Sequence, residues 1–160
     1  MESASPKTIF FKRSHFATHL PADALFSPSH YWLQREPDGA WRVGFSKFAV
    51  RMLGDLVDQS FDVPEGAPVQ PGKIIGWIEG FKAISDIYCV IDGTFAGGNP
   101  ALKGRLEQIN DDPYGGGWLY RAKGESDRNC MPATDYVNLL NATIDRMLSQ
   151  QKDSDPPAQP

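Results

Sequence analysis

The sequence has little cysteine and little histidine. Of 160 residues, two are cysteines and three are histidines. Cys89 and Cys130 form no Cys-x-x-Cys pair, which excludes a disulfide framework and a zinc-ribbon signature. We predict that both pack as small apolar side chains in a reducing, cytoplasmic setting. His15 and His19 are four residues apart, but no further ligands stand at a suggestive spacing, so the sequence predicts no metal site.

Long apolar runs and surplus positive charge are also missing. No window approaches the roughly 18 apolar residues of a membrane span, and the first residues have no apolar signal-peptide core. We therefore expect neither a membrane segment nor a cleaved leader. The formal net charge is −4, and this argues against a nucleic-acid partner, which needs a basic face.

Short apolar segments bounded by glycine and proline predict a protein that is mainly β. The turn Glu-Pro-Asp-Gly at 36–39 lies between two aromatic-rich runs and indicates a hairpin. A second hairpin is predicted from the runs at 73–78 and 87–91. We expect an edge strand at 9–11, a loop at 17–29, and the last strand at 118–122.

Two segments have helical patterns. Residues 46–53 begin with Ser46 as a suitable N-cap and end at Gly54, which predicts a short helix. Apolar residues recur at helical spacing over 134–148, with Thr134 as the expected N-cap. From Gln150 the chain is polar and rich in proline, which predicts disorder. The pattern as a whole indicates a small all-β barrel or sandwich with a C-terminal helix packed on it.

Lys82 is the candidate functional residue. The segment 79–86 reads Glu-Gly-Phe-Lys-Ala-Ile-Ser-Asp and lies between the two runs of the second hairpin. A lysine at such a tip stands in solvent on a rigid stem, where a modifying enzyme can select it among the other lysines. Glu79 and Asp86 flank it at the two ends of this segment.

This segment resembles the lipoyl-attachment hairpin of the glycine cleavage system H protein family. Three further segments agree with the family in order and spacing. They are Ser-His-x-Trp at 29–32, the stretch from Val-Gly-x-Ser to Leu-Gly-Asp at 43–55, and Asn-x-x-Pro-Tyr-x-x-Gly-Trp at 110–118. The resemblance extends over about residues 26–123.

The resemblance implies a fold and a cofactor. The fold would be a flattened β-barrel of the barrel-sandwich-hybrid, lipoyl-domain-like type with a C-terminal α-helix. Lys82 would carry lipoate in amide linkage, with Glu79 and Asp86 contributing to recognition or to a cleft. We expect an N-terminal extension, the carrier domain, the C-terminal helix and a tail, at residues 1–20, 21–126, 127–149 and 150–160.

The resemblance also implies partners. The protein would be a non-catalytic carrier, because the dithiolane brings the chemistry. It would shuttle an aminomethyl group from glycine decarboxylase to an aminomethyltransferase and be reoxidised by dihydrolipoamide dehydrogenase. A lipoate ligase, or a lipoyl or octanoyl transferase, would modify it. We expect a cytoplasmic monomer with no membrane or nucleic-acid partner.

Three departures from the family pattern leave two alternatives open. Tyr31 stands where the family has glutamate, Met52 where it often has histidine, and Gly80-Phe81 where it has Ser-Val. One alternative is an H-protein-like lipoate-binding protein that carries sulfur intermediates in sulfur oxidation. The other is a module whose Lys82 is unmodified and which serves interaction or regulation.

Overall fold

The computed structural model describes residues 7–154, with side chains to residue 151. The described strands are β1 (Thr8–Arg13), β2 (Phe16–Pro21), β3 (Leu25–Phe26), β4 (Tyr31–Arg35), β5 (Trp41–Phe45), β6 (Leu56–Phe61), β7 (Pro68–Val69), β8 (Ile74–Gly80), β9 (Ile84–Tyr88), β10 (Ile91–Gly98), β11 (Tyr120–Ser126) and β12 (Met131–Pro132). The described helices are α1 (Lys47–Leu53), α2 (Glu107–Asp111) and α3 (Ala133–Ser154), with a 3-10 turn at Pro100–Leu102. None of these helices is long and apolar enough to cross a membrane.

Two antiparallel sheets enclose the main core. Seven strands form one sheet in the order β12-β3-β4-β5-β11-β10-β7, and three form the other in the order β6-β8-β9. Apolar side chains from both sheets meet between them, including Leu33, Val43, Ile75, Ile78, Ile87 and Ile91, each with no exposed surface. The predicted fold, mainly β in a flattened barrel-sandwich with a C-terminal helix, is therefore confirmed.

Both predicted hairpins are present. Strands β4 and β5 pair from Tyr31↔Phe45 to Arg35↔Trp41. Gly39, at a φ of +88°, makes their turn, because it adopts the left-handed conformation that β-branched and bulky residues avoid. Strands β8 and β9 pair from Ile74↔Tyr88 to Glu79↔Ile84 and form the hairpin that carries Lys82.

The predicted loop at 17–29 is wrong, because strands β2 and β3 lie there. Prolines suggested a loop, but Pro21 stands at the end of β2 and Pro28 lies in the turn before β4. The predicted strand at 9–11 is confirmed within β1. It pairs with β2 in a separate two-stranded sheet.

The β1–β2 sheet covers a second core beneath α3. Its buried side chains Phe11, Phe16 and Leu20 pack in one cluster with α3. Arg13 also donates to the Asn141 carbonyl at 2.8 Å and pairs with the Asp145 carboxylate. Hydrophobic packing and polar contacts together therefore hold this sheet against the helix.

Both predicted boundaries of the C-terminal helix are wrong. Helix α3 begins at Ala133, so Thr134 lies in its first turn and is not its N-cap. The helix continues to Ser154, so the disorder predicted from Gln150 is wrong for 150–154, and 155–160 lie outside the described residues. Amphipathic spacing shows which face of a helix is buried. It does not mark where the helix ends when the following residues are polar but still helical.

The final strands also differ from the prediction. Strand β11 begins at Tyr120, two residues after the predicted start, and ends at Ser126. It is followed by the short strand β12. Trp118 lies between the turn at 113–117 and β11, and its preceding residue, Gly117, packs closely on the backbone of α2.

Tyr136 joins α3 to the end of the barrel that carries α1. Its hydroxyl is hydrogen-bonded to His30 Nδ1 at 2.7 Å and to Ser46 Oγ at 2.8 Å. Its ring stacks on Phe26 with centroids 4.5 Å apart. Because Ser46 also caps α1, this contact links α3 to the start of that helix. His30 therefore has a structural role in this link.

Tyr136→Phe tests this link. Loss of the hydroxyl leaves two partly or fully buried polar groups without their hydrogen-bond partner. We therefore expect the free energy of unfolding to fall by about 1–3 kcal/mol. Urea denaturation measures it. The matched control is Tyr88→Phe on the exposed hairpin, for which we expect a change within about 0.5 kcal/mol. Equal effects of the two substitutions would contradict a special role for the Tyr136 hydroxyl.

Candidate functional site

Lys82 lies at the tip of the β8–β9 hairpin and is exposed. Strand β8 ends at Gly80 and β9 begins at Ile84, so residues 81–83 form the tip. The Gly80 N–H donates to the Ala83 carbonyl at 2.8 Å across it. Phe81 beside it is 80% exposed. Both side chains are therefore exposed to solvent at the end of two hydrogen-bonded antiparallel strands.

The backbone of the tip is anchored on the end of α1. The Lys82 N–H donates to the Leu53 carbonyl and the Phe81 N–H to the Asp55 carbonyl, each at 3.0 Å. The Lys82 amine lies 3.5 Å from the Arg51 carbonyl. A lysine on an ordinary mobile loop would have no such backbone bonds, so Lys82 projects from a fixed base.

Helix α1 forms as the sequence predicts. Ser46 Oγ accepts a hydrogen bond from the Ala49 N–H at its start, and Gly54, at a φ of +78°, ends it with its N–H on the Val50 carbonyl. The stem of Lys82 lies directly over Gly54, where an added Cβ would be 2.9 Å from Lys82 Cγ. Glycine therefore both ends the helix and leaves room for the lysine.

Gly80 allows the hairpin to approach α1. A Cβ at this position would lie 2.0 Å from the Leu53 carbonyl oxygen, which is the acceptor of the Lys82 N–H. Glycine in a strand often marks such a close approach of another backbone. Sequence reasoning noted Gly80 only as a departure from the family pattern, since nothing local indicates the neighbouring helix.

An apolar groove of about 390 Å³ opens on one side of Lys82. We call it the apolar groove, and its main walls are Tyr31, Phe45, Phe48, Met52, Ile84 and Tyr88. It runs between α1 and β9, beginning at Ala83, the residue that follows the lysine. A cavity of this size is within the range of small-molecule sites, about 300–1,000 Å³.

Burial keeps two ionisable groups of the apolar groove, His30 and Tyr31, uncharged. Burial lowers the pKa of His30 to about 4, so its ring is neutral at pH 7. Burial raises the pKa of Tyr31 far above its ordinary value. The Tyr31 hydroxyl accepts a hydrogen bond from the Tyr88 N–H at 2.9 Å, and its ring stacks on Phe45. Tyr31 therefore fixes β9 over the groove while adding no charge.

A second cavity, the polar cleft, opens on the other side of Lys82. It has a volume of about 270 Å³ and includes Lys47, Arg51, Asp55 and Asn110. The Asn110 side chain donates to the Gly54 carbonyl at 3.2 Å and accepts from the Leu56 N–H at 3.3 Å. Asn110 thus fastens α2 to the chain that leaves α1, a role that its sequence motif did not reveal.

Glu79 and Asp86 lie on the outward face of the three-stranded sheet. Glu79 pairs in register with Ile84 and Asp86 with Trp77, so the two carboxylates are diagonal neighbours on adjacent strands. Asp86 is exposed and Glu79 is half-buried. Neither residue lines the apolar groove or the polar cleft. They are accessible to a macromolecule that approaches the tip from this face.

The remaining candidate residues lie away from the tip. Cys89 is buried, its thiol donates to the Ile91 carbonyl at 3.3 Å, and burial raises its pKa. Burial also raises the pKa of the half-buried Cys130 thiol to about 12. Both thiols therefore stay protonated and unreactive at neutral pH. Within residues 7–154, no group of three or more His, Cys, Asp or Glu side chains could hold a metal ion.

Comparison with known proteins agrees with this geometry. The family profile described as Glycine cleavage H-protein matches residues 24–143. The glycine cleavage system H protein of Escherichia coli O139:H28 (strain E24377A / ETEC) is 37% identical over 127 residues, covering 77% of this chain and 97% of that protein. The H protein of Escherichia coli strain K12 / DH10B is similar to the same extent.

A solved structure supports the same assignment. The crystal structure of a glycine cleavage system H protein from Mycobacterium marinum matches with a TM-score of 0.69 at 31% identity. The match covers 76% of this chain and 99% of that chain. The chain belongs to the glycine cleavage H-protein family.

H proteins are non-catalytic lipoyl carriers of the glycine cleavage system, and this chain is therefore a carrier and not an enzyme. Its partners belong to that system. The β1–β2 sheet precedes the segment that the family profile matches. The expected domain boundaries, including an N-terminal extension at 1–20, stay predictions.

Gly80→Ala tests how the H-protein tip is anchored. Its Cβ would collide with the Leu53 carbonyl, so we expect the free energy of unfolding to fall by about 2–3 kcal/mol. Gly66→Ala is the control, because its Cβ would meet open space at a φ of +92°, and we expect backbone strain alone to cost about 1–2 kcal/mol. Urea denaturation compares the two. If Gly80→Ala were the milder change, the close contact between tip and helix would be refuted.

Proposed function

We propose that Lys82 carries lipoate in amide linkage to Nζ and that this arm transports the aminomethyl group of glycine. The observation that supports this most directly is the exposed lysine whose own backbone N–H is bonded to the end of α1. An anchored tip presents one amine in a constant position to the modifying enzyme. It also gives the finished arm a rigid base.

The residues around Lys82 fit a lipoyl arm. The uncharged, apolar groove beside the tip matches a hydrocarbon chain that ends in a dithiolane. When bound, the group supplies a disulfide that is opened by a partner's intermediate and later reformed from the dithiol. The chain itself keeps the attachment point fixed and keeps its own thiols, Cys89 and Cys130, protonated and out of exchange.

The proposed partners are the other components of the glycine cleavage system. They are glycine decarboxylase, which loads the arm, an aminomethyltransferase, which unloads it, and dihydrolipoamide dehydrogenase, which reoxidises it. A lipoate ligase or a lipoyl or octanoyl transferase would attach the group. Tethering gives the arm a high effective concentration at each partner once the carrier has docked. A cytoplasmic monomer suits such a mobile carrier.

We further propose that Glu79 and Asp86 help the modifying enzyme to recognise the hairpin. Both carboxylates lie on the outward face beside the tip and do not line either cavity. Charges at the rim of an interface mainly steer encounter and orientation. Their contribution would therefore affect the rate of modification and not the stability of the fold.

Lys82→Arg tests the attachment site. We expect the wild type to gain the mass of one lipoyl group in its native host and the variant to gain none, since the arginine guanidinium cannot be acylated in this way. Glycine–bicarbonate exchange with the host's glycine decarboxylase should be lost in Lys82→Arg. The control, Lys73→Arg at the base of the same hairpin, should retain both. A lipoylated protein that supports no exchange would indicate a different cargo on the same arm.

Glu79→Gln and Asp86→Asn test recognition by the modifying enzyme. We expect each to lower kcat/KM for lipoylation by about two- to fivefold, the scale of an exposed charge pair. Asp62→Asn is the matched control, because Asp62 is an exposed carboxylate that directly follows β6 at the end of the same sheet away from the tip. Initial rates measured by intact mass would give the comparison. Equal rates for all four proteins would remove both carboxylates from the proposal.

A further inference from the structure

A third cavity lies where the turn between β1 and β2 meets α1 and α3. We call it the β1–β2 groove. It has a volume of about 190 Å³ and is lined by Arg13, Ser14, His15 and Phe16 at the turn, Phe48, Arg51 and Met52 on α1, and Ile144 and Met147 on α3. The family profile matches residues 24–143, so most of this lining stands outside the family segment, before it or after it. The family assignment therefore does not account for the groove.

The interior of the β1–β2 groove is apolar. Phe16, Phe48 and Ile144 are buried, and the rings of Phe16 and Phe48 meet edge-on with centroids 5.7 Å apart. Met52 and Met147 remain 41% and 38% exposed. Methionine side chains are unbranched and polarisable, so they adapt to apolar partners of different shape. A large apolar side chain that entered the groove would cover both methionines, and burial of their surface is favourable.

The rim of the β1–β2 groove is cationic. Arg13 and Arg51 line it, and no Asp or Glu is among its described lining residues. Arg13 is paired with the Asp145 carboxylate, but among the side chains that the structure describes no carboxylate pairs with Arg51. The exposed Arg51 guanidinium lies 5.9 Å from the Phe16 ring centroid and donates one N–H to the His15 carbonyl at 3.4 Å. Its other N–H groups are left for a ligand, and their planar arrangement suits a carboxylate.

The cationic surface continues from the β1–β2 groove toward Lys82. Arg51 lines both this groove and the polar cleft, where Lys47 precedes it by one helical turn and Asp55 is the one carboxylate of the lining. The Arg51 carbonyl lies 3.5 Å from the Lys82 amine. The chain as a whole has a formal net charge of −4, so this local excess of cations gives its surface one region that attracts an acidic partner.

We propose that the β1–β2 groove docks an acidic segment of a partner protein, which places one large apolar side chain in the groove and a neighbouring carboxylate on Arg51. A cavity of this size holds a single anchoring side chain, as the centre of a protein interface does, whereas a flat lipid surface would leave it unfilled. The turn between β1 and β2 and the later part of α3 thus give the carrier a docking contact outside the family segment. The groove forms without any group on Lys82, so this inference does not depend on lipoylation.

Selection from a random peptide library tests the proposal. Full-length protein, unmodified at Lys82, is panned against phage that display random dodecapeptides, and phage that bind Met147→Glu are removed by counter-selection. Met147 is partly exposed on α3, so the variant should fold, and its thermal unfolding verifies this. We expect the enriched peptides to contain a large apolar residue next to Asp or Glu. A basic or uncharged consensus, or no enrichment over the counter-selected pool, would overturn the proposal.

The most enriched peptide, synthesised with a fluorescent label, then gives affinities by fluorescence anisotropy. We expect Arg51→Gln to weaken binding about tenfold, the scale of one charge-assisted hydrogen bond. The matched control is Arg146→Gln, because Arg146 is an exposed arginine beside Met147 that does not line the groove, and its affinity should equal that of the wild type. Equal losses in the two arginine variants would show attraction by general charge and would refute the specific contact.

Other occupants of the β1–β2 groove would give different results, and each would overturn the proposal. A second copy of this chain would appear in sedimentation as a dimer that Met147→Glu dissociates. The chain's own residues 155–160 would exclude the peptide until they were deleted. A membrane would show as Met147-dependent binding to vesicles of phosphatidylglycerol and phosphatidylcholine. Because the panned protein carries no lipoate, failure of this proposal is distinguishable from failure of the attachment test at Lys82.

Discussion

The contact between the hairpin tip and the end of α1 organises the functional end of this protein. Two backbone N–H groups of the tip donate to carbonyls at and just beyond the end of that helix. A terminal helical turn has unpaired carbonyls, so the hairpin satisfies acceptors that would otherwise need water. The approach is possible because residues 54 and 80 are both glycine: one ends the helix, and the other leaves room for the Leu53 carbonyl. The lysine, the apolar groove and the polar cleft all take their positions from this one contact.

The elements behind α1 support that contact in turn. The Tyr136 hydroxyl joins α3 to the N-cap of α1, and Phe16 of β2 packs edge-on against Phe48 with centroids 5.7 Å apart. The β1–β2 sheet precedes the segment that the family profile matches, yet its side chains complete the core beneath α3. A part of the chain outside the common family segment therefore helps to hold the helix on which the tip rests.

The chemical character of the site follows from a few side chains that differ from the family pattern. Tyr31, which stands where the family pattern has glutamate, is buried and bonded to the backbone of β9. Its hydroxyl stays neutral because burial raises its pKa. Met52 adds a flexible apolar wall at the edge. The fold of an H protein is thus retained, while the groove beside the lysine has an apolar lining. Charge remains on the outward face, at Glu79 and Asp86, and in the polar cleft.

The sequence by itself determined the class of the fold, the hairpin of Lys82 and the limits of α1, because alternation, turn glycines and a Ser cap act between neighbouring residues. It also identified the family through motifs spread along the chain. Only the tertiary structure decided that 16–21 is a strand. Its pairing partner, β1, has only a short apolar run of its own, and proline alone does not exclude an edge strand. The tertiary structure likewise decided why Gly80 must be small, which face Glu79 and Asp86 share, and that Tyr31 lines a groove. Each of these depends on the approach of elements distant in sequence, and no local pattern records such an approach.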